Sequence, residues 1–233
     1  MDLSMVEWNV IALSLKVAAL ASALCLPPSL FLGWLFARRD FPGKTALATL
    51  VHLPMVLPPV TVGFLLLLVF GIHGPVGRLV HDWFGVRIAF TMAAAIIASA
   101  IVALPLCVRS IQVAMEMCDR RLEEAARTLG CSPLAAFVRV TLPGALPGIA
   151  AGTVLAFVRS LGEFGATITF AGNIENQTRT LPMAIYSIMN VPGQDAAANG
   201  LAVVSVLLAV GAFALSEWLN RRMRAGKAAS CGL

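Results

Sequence analysis

The chain has 233 residues, is 59% hydrophobic, carries only 12% charged residues and has a formal net charge of +5. Soluble domains average roughly 25% charged residues, so this composition excludes an ordinary soluble globular protein. The basic excess does not indicate a nucleic-acid binder either, because Lys and Arg are scattered around the ends of apolar runs rather than gathered into one patch.

Residues 1–9 carry Asp2 and Glu7 and lack the basic start of a cleavable signal peptide. The first apolar run, about 10–37, is therefore expected to be a retained span; Arg38, Arg39 and Lys44 follow it. Lys16 sits inside this run, where it either snorkels outward or faces a pathway. A second run covers about 45–70 and is interrupted by Pro54, Pro58 and Pro59. Each proline removes an amide donor, so the span is either kinked or opened to present backbone groups to a pathway. A turn over 71–87 holds His73 and His81 without ligand spacing. The third run is about 88–108, the fourth about 140–171 and the fifth about 200–219, followed by Arg221, Arg222, Arg224 and Lys227. Between the last two lies a polar segment, 172–199, in which 180–191 reads as a short outer helix.

About 20 helical residues cross a bilayer, and only helices or closed barrels satisfy the backbone in lipid. No alternating ten-residue strands of a barrel occur. The fold class is therefore an all-α polytopic membrane protein with about five transmembrane helices, forming one domain over 1–233. The loops holding Arg38, Arg39, Lys44, Arg109, Arg120, Arg121, Arg127, Arg139 and the C-terminal basic cluster are expected in the cytoplasm. The opposite loops hold only Arg78, Arg87 and Arg179. This puts the N-terminus outside and the C-terminus inside. No internal repeat is visible, so a homodimer with a pathway between subunits is the natural architecture.

The segment of about 109–143 is polar and helix-prone between apolar runs. Asp119 can cap a helix over 120–129, Gly130 suits the left-handed residue that ends it, and Ser132-Pro133 restarts a second helix. Leu142-Pro143 is expected to end that helix and turn the chain into the bilayer. A loop needs no such order merely to connect spans, so this elbow reads as a docking surface. Ala125 and Ala126 let a partner approach closely, and Glu124 offers it a charge.

The pattern Glu124-Ala125-Ala126, three residues, Gly130, nine residues, then Val140-Thr141-Leu142-Pro143 resembles the coupling motif of the membrane subunits of binding-protein-dependent ABC importers. Val140 stands where isoleucine is more usual. Arg159-Ser160-Leu161-Gly162-Glu163-Phe164-Gly165-Ala166-Thr167, with Ala171-Gly172-Asn173, Thr178-Arg179-Thr180-Leu181-Pro182 and Ala184-Ile185-Tyr186, resembles the tetrahedral-oxyanion branch of these permeases. His52-Leu53-Pro54-Met55-Val56-Leu57-Pro58-Pro59-Val60 and Gly74-Pro75-Val76-Gly77 are similar to molybdate permease subunits in particular; sulfate permeases share the Gly-Glu-Phe/Tyr-Gly block. The resemblance implies the type I ABC importer fold, with Glu124, Ala125, Ala126, Gly130, Leu142 and Pro143 coupling to an ATPase. It implies a homodimeric pore in the bacterial inner membrane, two separate ATP-binding subunits, and a periplasmic molybdate-binding protein. Sulfate, thiosulfate and tungstate are alternative cargoes.

Arg159 and Glu163 lie at i, i+4 in the fourth run and are expected to share a helix face. Ionisable residues inside a membrane point to function, so with Pro58 and Pro59 they are candidates for the pathway or gate. A purely structural ion pair is the other reading.

No enzyme signature accompanies these features. Pro42-Gly43-Lys44-Thr45 ends like a phosphate-binding loop, but Arg38 stands where the first glycine is needed and no strand precedes it. There is no His-Glu-x-x-His and no Gly-x-Ser-x-Gly. Five cysteines, Cys25, Cys107, Cys118, Cys131 and Cys231, show no metal spacing, and no metal or cofactor is expected. A stand-alone channel would need no coupling elbow.

Overall fold

The structure, a computed structural model, describes residues 3–230, with side chains for 8–214, 217 and 218. Cys231 and the side chains of Arg221, Arg222, Arg224 and Lys227 lie outside the described residues. Helices dominate, and no strand occurs among the described residues.

Helix α1 (Leu3–Arg38) has 36 residues. At 1.5 Å per residue it is about 54 Å long, well beyond the ~30 Å hydrocarbon core. The Ser14 and Ser22 hydroxyls donate to the carbonyls of Val10 and Ala18 one turn back, which lets these polar groups sit buried in an apolar helix. Lys16 lies on its exposed side.

The second span is broken. Helices α2 (Lys44–Val56) and α3 (Pro59–Phe70) meet at an angle of 115°. Pro58 and Pro59 carry no N–H, so the carbonyls of Pro54 and Met55 lose their helical donors and the ladder stops. Val51 of α2 packs with Phe36 and Val108. Val62 and Leu66 of α3 pack with Ala94, Ala95 and Ala98. Val108 lies in the second half of α5 (Met92–Glu116) and Ala94, Ala95 and Ala98 in its first turns. Four helices among the described residues are long and apolar enough to cross a membrane, and five if the bent pair counts as one span.

Helix α4 (Pro75–Phe84) follows, and Gly85 closes it at φ 66°. Its Leu79, Trp83 and Phe84 are exposed. The side chain of Thr91 caps α5 by accepting the Ala94 amide at 3.4 Å. Helix α5 does not stop near residue 108 as expected: it continues through Arg109 to Glu116 because Ile111 and Met115 are fully buried in the core.

Helices α6 (Arg120–Thr128) and α7 (Pro133–Ala136) form the elbow. A π-helical turn (Phe137–Thr141) leads into α8 (Leu142–Leu161). Leu142-Pro143 therefore does not end a helix. The helical stretch from Pro133 to Leu161 is continuous over 29 residues, because the wider π turn precedes Pro143 and accommodates its missing amide and its ring.

The fourth apolar run also breaks, after Leu161. Helix α9 (Gly165–Phe170) resumes it, and α10 (Leu181–Met189) and α11 (Asp195–Ser230) complete the chain. Glu163 therefore lies past the end of α8 rather than on its face. The expected short outer helix is α10. Its first amide, Leu181 N–H, donates to Ser14 Oγ at 2.7 Å, and Leu181 and Ala184 pack against Val10 and Leu201.

Close packing of α1, α5 and α8 makes the core, from small residues such as Ala21, Cys25, Ala103, Cys107, Ala145 and Ala156. A Cβ on Gly148 would lie 2.1 Å from that of Ala114. The Ser110 hydroxyl donates to the Gly148 carbonyl at 2.9 Å. Small side chains and an interhelical hydrogen bond substitute for a hydrophobic driving force that lipid does not supply. One end of the bundle thus gathers the end of α1, the start of α2, the end of α5 and the elbow; the other gathers α4, α10 and the start of α11.

Candidate functional site

The elbow is built by local chemistry. Asp119 Oδ1 accepts the Arg121 amide at 2.9 Å and starts α6. At its end the Gly130 amide donates to Arg127 O at 3.0 Å and the Cys131 amide to Ala126 O at 3.1 Å. These are the paired bonds of a Schellman cap, which needs a left-handed residue at Gly130; its φ is 90°. Ser132 Oγ then accepts the Ala135 amide at 3.2 Å, with Pro133 in the first turn.

On this elbow Glu124 and Ala125 are exposed and Ala126 is half-buried. Leu122, Leu129 and Leu134 stand out of it, at 60%, 87% and 72% exposure. Three exposed large apolar side chains beside Arg121, Arg127 and Glu124 make a partly apolar, partly charged face, the composition expected of a docking surface. Leu142 and Pro143 lie half-buried at the start of α8. Glu124 and Leu142 line one cleft of about 840 Å³, whose apolar wall includes Phe31, Trp34 and Phe137. Among the described residues Glu124 has no ion-pair partner, whereas its neighbour Glu123 is engaged.

Glu123 was not singled out by pattern. Its Oε2 accepts the Thr141 hydroxyl at 2.8 Å and lies 4.0 Å from Arg38 Nε. Arg38 Nη2 also donates to Cys118 O at 3.2 Å, and Arg120 Nη2 donates to Ala37 O at 2.9 Å. The elbow is thereby tied to the end of α1 and to the π turn. The only sequence signals were a threonine within an apolar run and the first arginine after a span.

A second cluster forms where the two broken spans touch. Arg159 Nη1 sits 2.7 Å from Glu163 Oε2. The pair expected from spacing exists, but Glu163 reaches back from the break. Its other oxygen accepts the Ala166 amide at 2.8 Å, capping α9. The Glu163 side chain is 1% exposed and that of Arg159 32%. Beside them Gly165 abuts the other break: a Cβ there would lie 2.7 Å from Pro59 Cβ. A Cβ on Gly63 would meet the Ala166 carbonyl at 2.6 Å. Phe164 packs on Tyr186 with ring centroids 5.2 Å apart. The structure thus brings Pro59 against the Glu163 break, joining candidate pathway residues that lie far apart along the chain. The elbow cluster is distinct from this one.

No group of three or more potential metal ligands occurs among the described residues.

A family model described as "Binding-protein-dependent transport system inner membrane component" matches residues 29–225. The chain is 50% identical over 223 residues to the molybdenum transport system permease protein ModB of Escherichia coli (strain K12), covering 95% of this chain and 97% of that one. It is 45% identical to the ModB of Haemophilus influenzae, covering 94% and 95%. It is 34% identical to the sulfate transport system permease protein CysT of Salmonella typhimurium, covering 83% and 71%. Among solved structures, a bacterial alginate ABC transporter in complex with an alginate pentasaccharide-bound periplasmic protein superposes with a TM-score of 0.74. It has 18% identity and covers 92% of this chain and 78% of that one. The MetNI methionine ABC transporter in inward-facing conformations gives a TM-score of 0.69 at 18% identity, covering 95% of each chain. These likenesses between structures speak to the fold.

Proposed function

Because the chain belongs to the binding-protein-dependent transport system inner membrane component family, we propose that it is the membrane-spanning permease subunit of an ATP-driven molybdate importer. It is a multi-pass membrane transport subunit and not an enzyme; hydrolysis belongs to separate ATP-binding subunits. The observation that carries the reading is the ordered elbow, with Glu124, Ala125 and Leu129 exposed on a rigid, Schellman-capped turn.

In this reading the elbow end faces the cytoplasm. Arg38, Arg39, Lys44, Arg120, Arg121, Arg127 and Arg139 gather there, against Arg78, Arg87 and Arg179 at the other end, and cytoplasmic loops carry the basic excess. The N-terminus is then outside and the C-terminus inside. One ATP-binding subunit docks on each elbow, through Glu124, Ala125, Ala126 and the turn at Gly130. The start of α8, Leu142 and Pro143, follows the elbow's movement. A periplasmic binding protein delivers the oxyanion to the opposite end.

Two copies of the chain enclose the pathway. Val56, Val60 and Phe64, around the first break, are exposed in a single copy, and a second copy supplies their cover. Pro58, Pro59, Arg159 and Glu163 form the candidate gate: two helix breaks in contact give a place where the spans can change angle without unwinding. Arg159 offers the cation to a passing dianion, while Glu163, already bonded to the Ala166 amide, holds it in place. Nucleotide drives transport only by binding one arrangement of the paired elbows better than the other.

Support for molybdate is the greater identity to molybdenum permeases, 50% against 34% for the sulfate permease. Tungstate matches molybdate in charge and shape and remains a shared cargo. The test is uptake of labelled molybdate by cells lacking their own importer and supplied with this chain and its ATPase and binding protein. Accumulation that excess tungstate abolishes and excess sulfate leaves intact is expected. Accumulation of labelled sulfate instead would reassign the cargo. Recovery of the tagged chain without any ATPase from gently solubilised membranes would favour a stand-alone channel.

A further inference from the structure

We propose that Glu123, Thr141 and Arg38 form a positioning latch that transmits movement of the elbow to α1 and to the π turn below α8. The inference rests on the reading of the elbow as the ATPase dock and adds the route by which its displacement reaches the spans.

A docking helix that merely sat on the membrane surface would move independently of the spans, and hydrolysis would be wasted. Transmission needs stiff polar contacts to the elements that lead into the spans. Glu123 supplies them from the inner side of α6, one residue from the exposed Glu124. Through one oxygen it accepts the Thr141 hydroxyl at 2.8 Å. That threonine is 1% exposed and lies in the π turn. The same oxygen faces Arg38 Nε at 4.0 Å, and the Arg38 side chain is 8% exposed. Arg38 Nε is buried and has no hydrogen-bond partner in this arrangement. Its Nη2 meanwhile holds the Cys118 carbonyl at the start of the elbow.

The chemistry allows two arrangements of one set of groups. With the elbow as seen, Glu123 is hydrogen-bonded to Thr141 and only loosely paired with Arg38. A shift of α6 by about an ångström toward α1 would close the Glu123–Arg38 distance to hydrogen-bonding range and satisfy the buried Nε. A π turn is a natural place for such a change, since one extra residue per turn can be passed along a helix. The Arg120 bond to the Ala37 carbonyl pins the start of α6 to the end of α1, so the shift at Glu123 is a swing of α6 about that point.

The test uses the complete complex, chain with ATPase and binding protein, in proteoliposomes, reading molybdate uptake and phosphate release together. Thr141→Val keeps the shape and removes the hydroxyl, Thr141→Ser keeps it, and Glu123→Gln removes the charge facing Arg38. In Thr141→Val and Glu123→Gln, molybdate taken up per ATP hydrolysed should fall roughly 3- to 30-fold, with ATPase capture unchanged. Thr141→Ser should restore the ratio. The double variant Thr141→Val/Glu123→Gln should lose no more than the worse single one, because both act through one contact. Uptake and hydrolysis falling together at an unchanged ratio would reduce the latch to a structural brace and overturn the proposal, as would loss of ATPase capture by Thr141→Val. A wild-type chain that captures no ATPase overturns the underlying reading, and the latch with it.

Discussion

Arg159→Met isolates the contribution of the charge pair at the break. The Glu163 carboxylate is 1% exposed, and its two contacts are the Arg159 guanidinium at 2.7 Å and the Ala166 amide at 2.8 Å. Removing the guanidinium leaves a buried carboxylate with one amide, which costs about 3–5 kcal/mol. Glu163→Gln is milder, about 1–2 kcal/mol, because the amide oxygen still caps α9 and the partly exposed Arg159 can reach solvent. The double variant Arg159→Met/Glu163→Gln removes both charges and should return to within about 1 kcal/mol of the parent. In a chain of this size the single Arg159 change corresponds to roughly 6–20 °C of melting temperature. Thermal unfolding in detergent, followed by tryptophan fluorescence, reads it. A melting temperature for Arg159→Met equal to the parent's would refute the argument that burial makes the pair interdependent. Uptake by the double variant then separates the two roles: recovery of stability and transport together makes the pair structural, and stability without transport makes Arg159 part of the pathway.

Gly130→Pro cannot adopt the φ of 90° seen at the elbow; it should leave the chain inserted but abolish ATPase co-purification and uptake, measured at matched membrane levels. Gly148→Val places a side chain where a Cβ alone would lie 2.1 Å from Ala114 Cβ. It should destabilise the α5–α8 contact by about 1–3 kcal/mol, seen as a lower melting temperature. Ser14→Ala leaves the Leu181 amide without its 2.7 Å acceptor, at a cost of about 1–3 kcal/mol. Faster amide hydrogen exchange in α10, with little change in α5, is the expected result.

What the sequence revealed and what it hid divide along the range of the forces. The elbow was legible because Asp119, Gly130, Ser132 and Pro133 each act on backbone within four residues. The break at Pro58-Pro59 was legible for the same reason. The break at Gly162–Phe164 was not: no proline marks it, and it is held open by Glu163 turning its side chain to Arg159 and to the Ala166 amide. The role of Leu142-Pro143 was misjudged because proline in a helix usually ends it, and a π turn can only be seen in the backbone. Arg109 suggested a loop by its charge, but buried Ile111 and Met115 carry α5 through Glu116. Glu123 escaped notice since its partner Arg38 lies 85 positions away along the chain; only folding puts them at 4.0 Å. Local pattern pointed to the outward-facing Glu124, and tertiary contact to the inward-facing Glu123.

The most direct test of the account asks which side of the bilayer the elbow occupies. With its five native cysteines replaced, Ala125→Cys presents a single thiol on α6. A membrane-impermeant maleimide should label it in inside-out vesicles and not in right-side-out ones, and bound ATPase should protect it. Labelling from the outer face of intact membranes would put the elbow beyond the reach of any cytoplasmic ATPase and contradict the account.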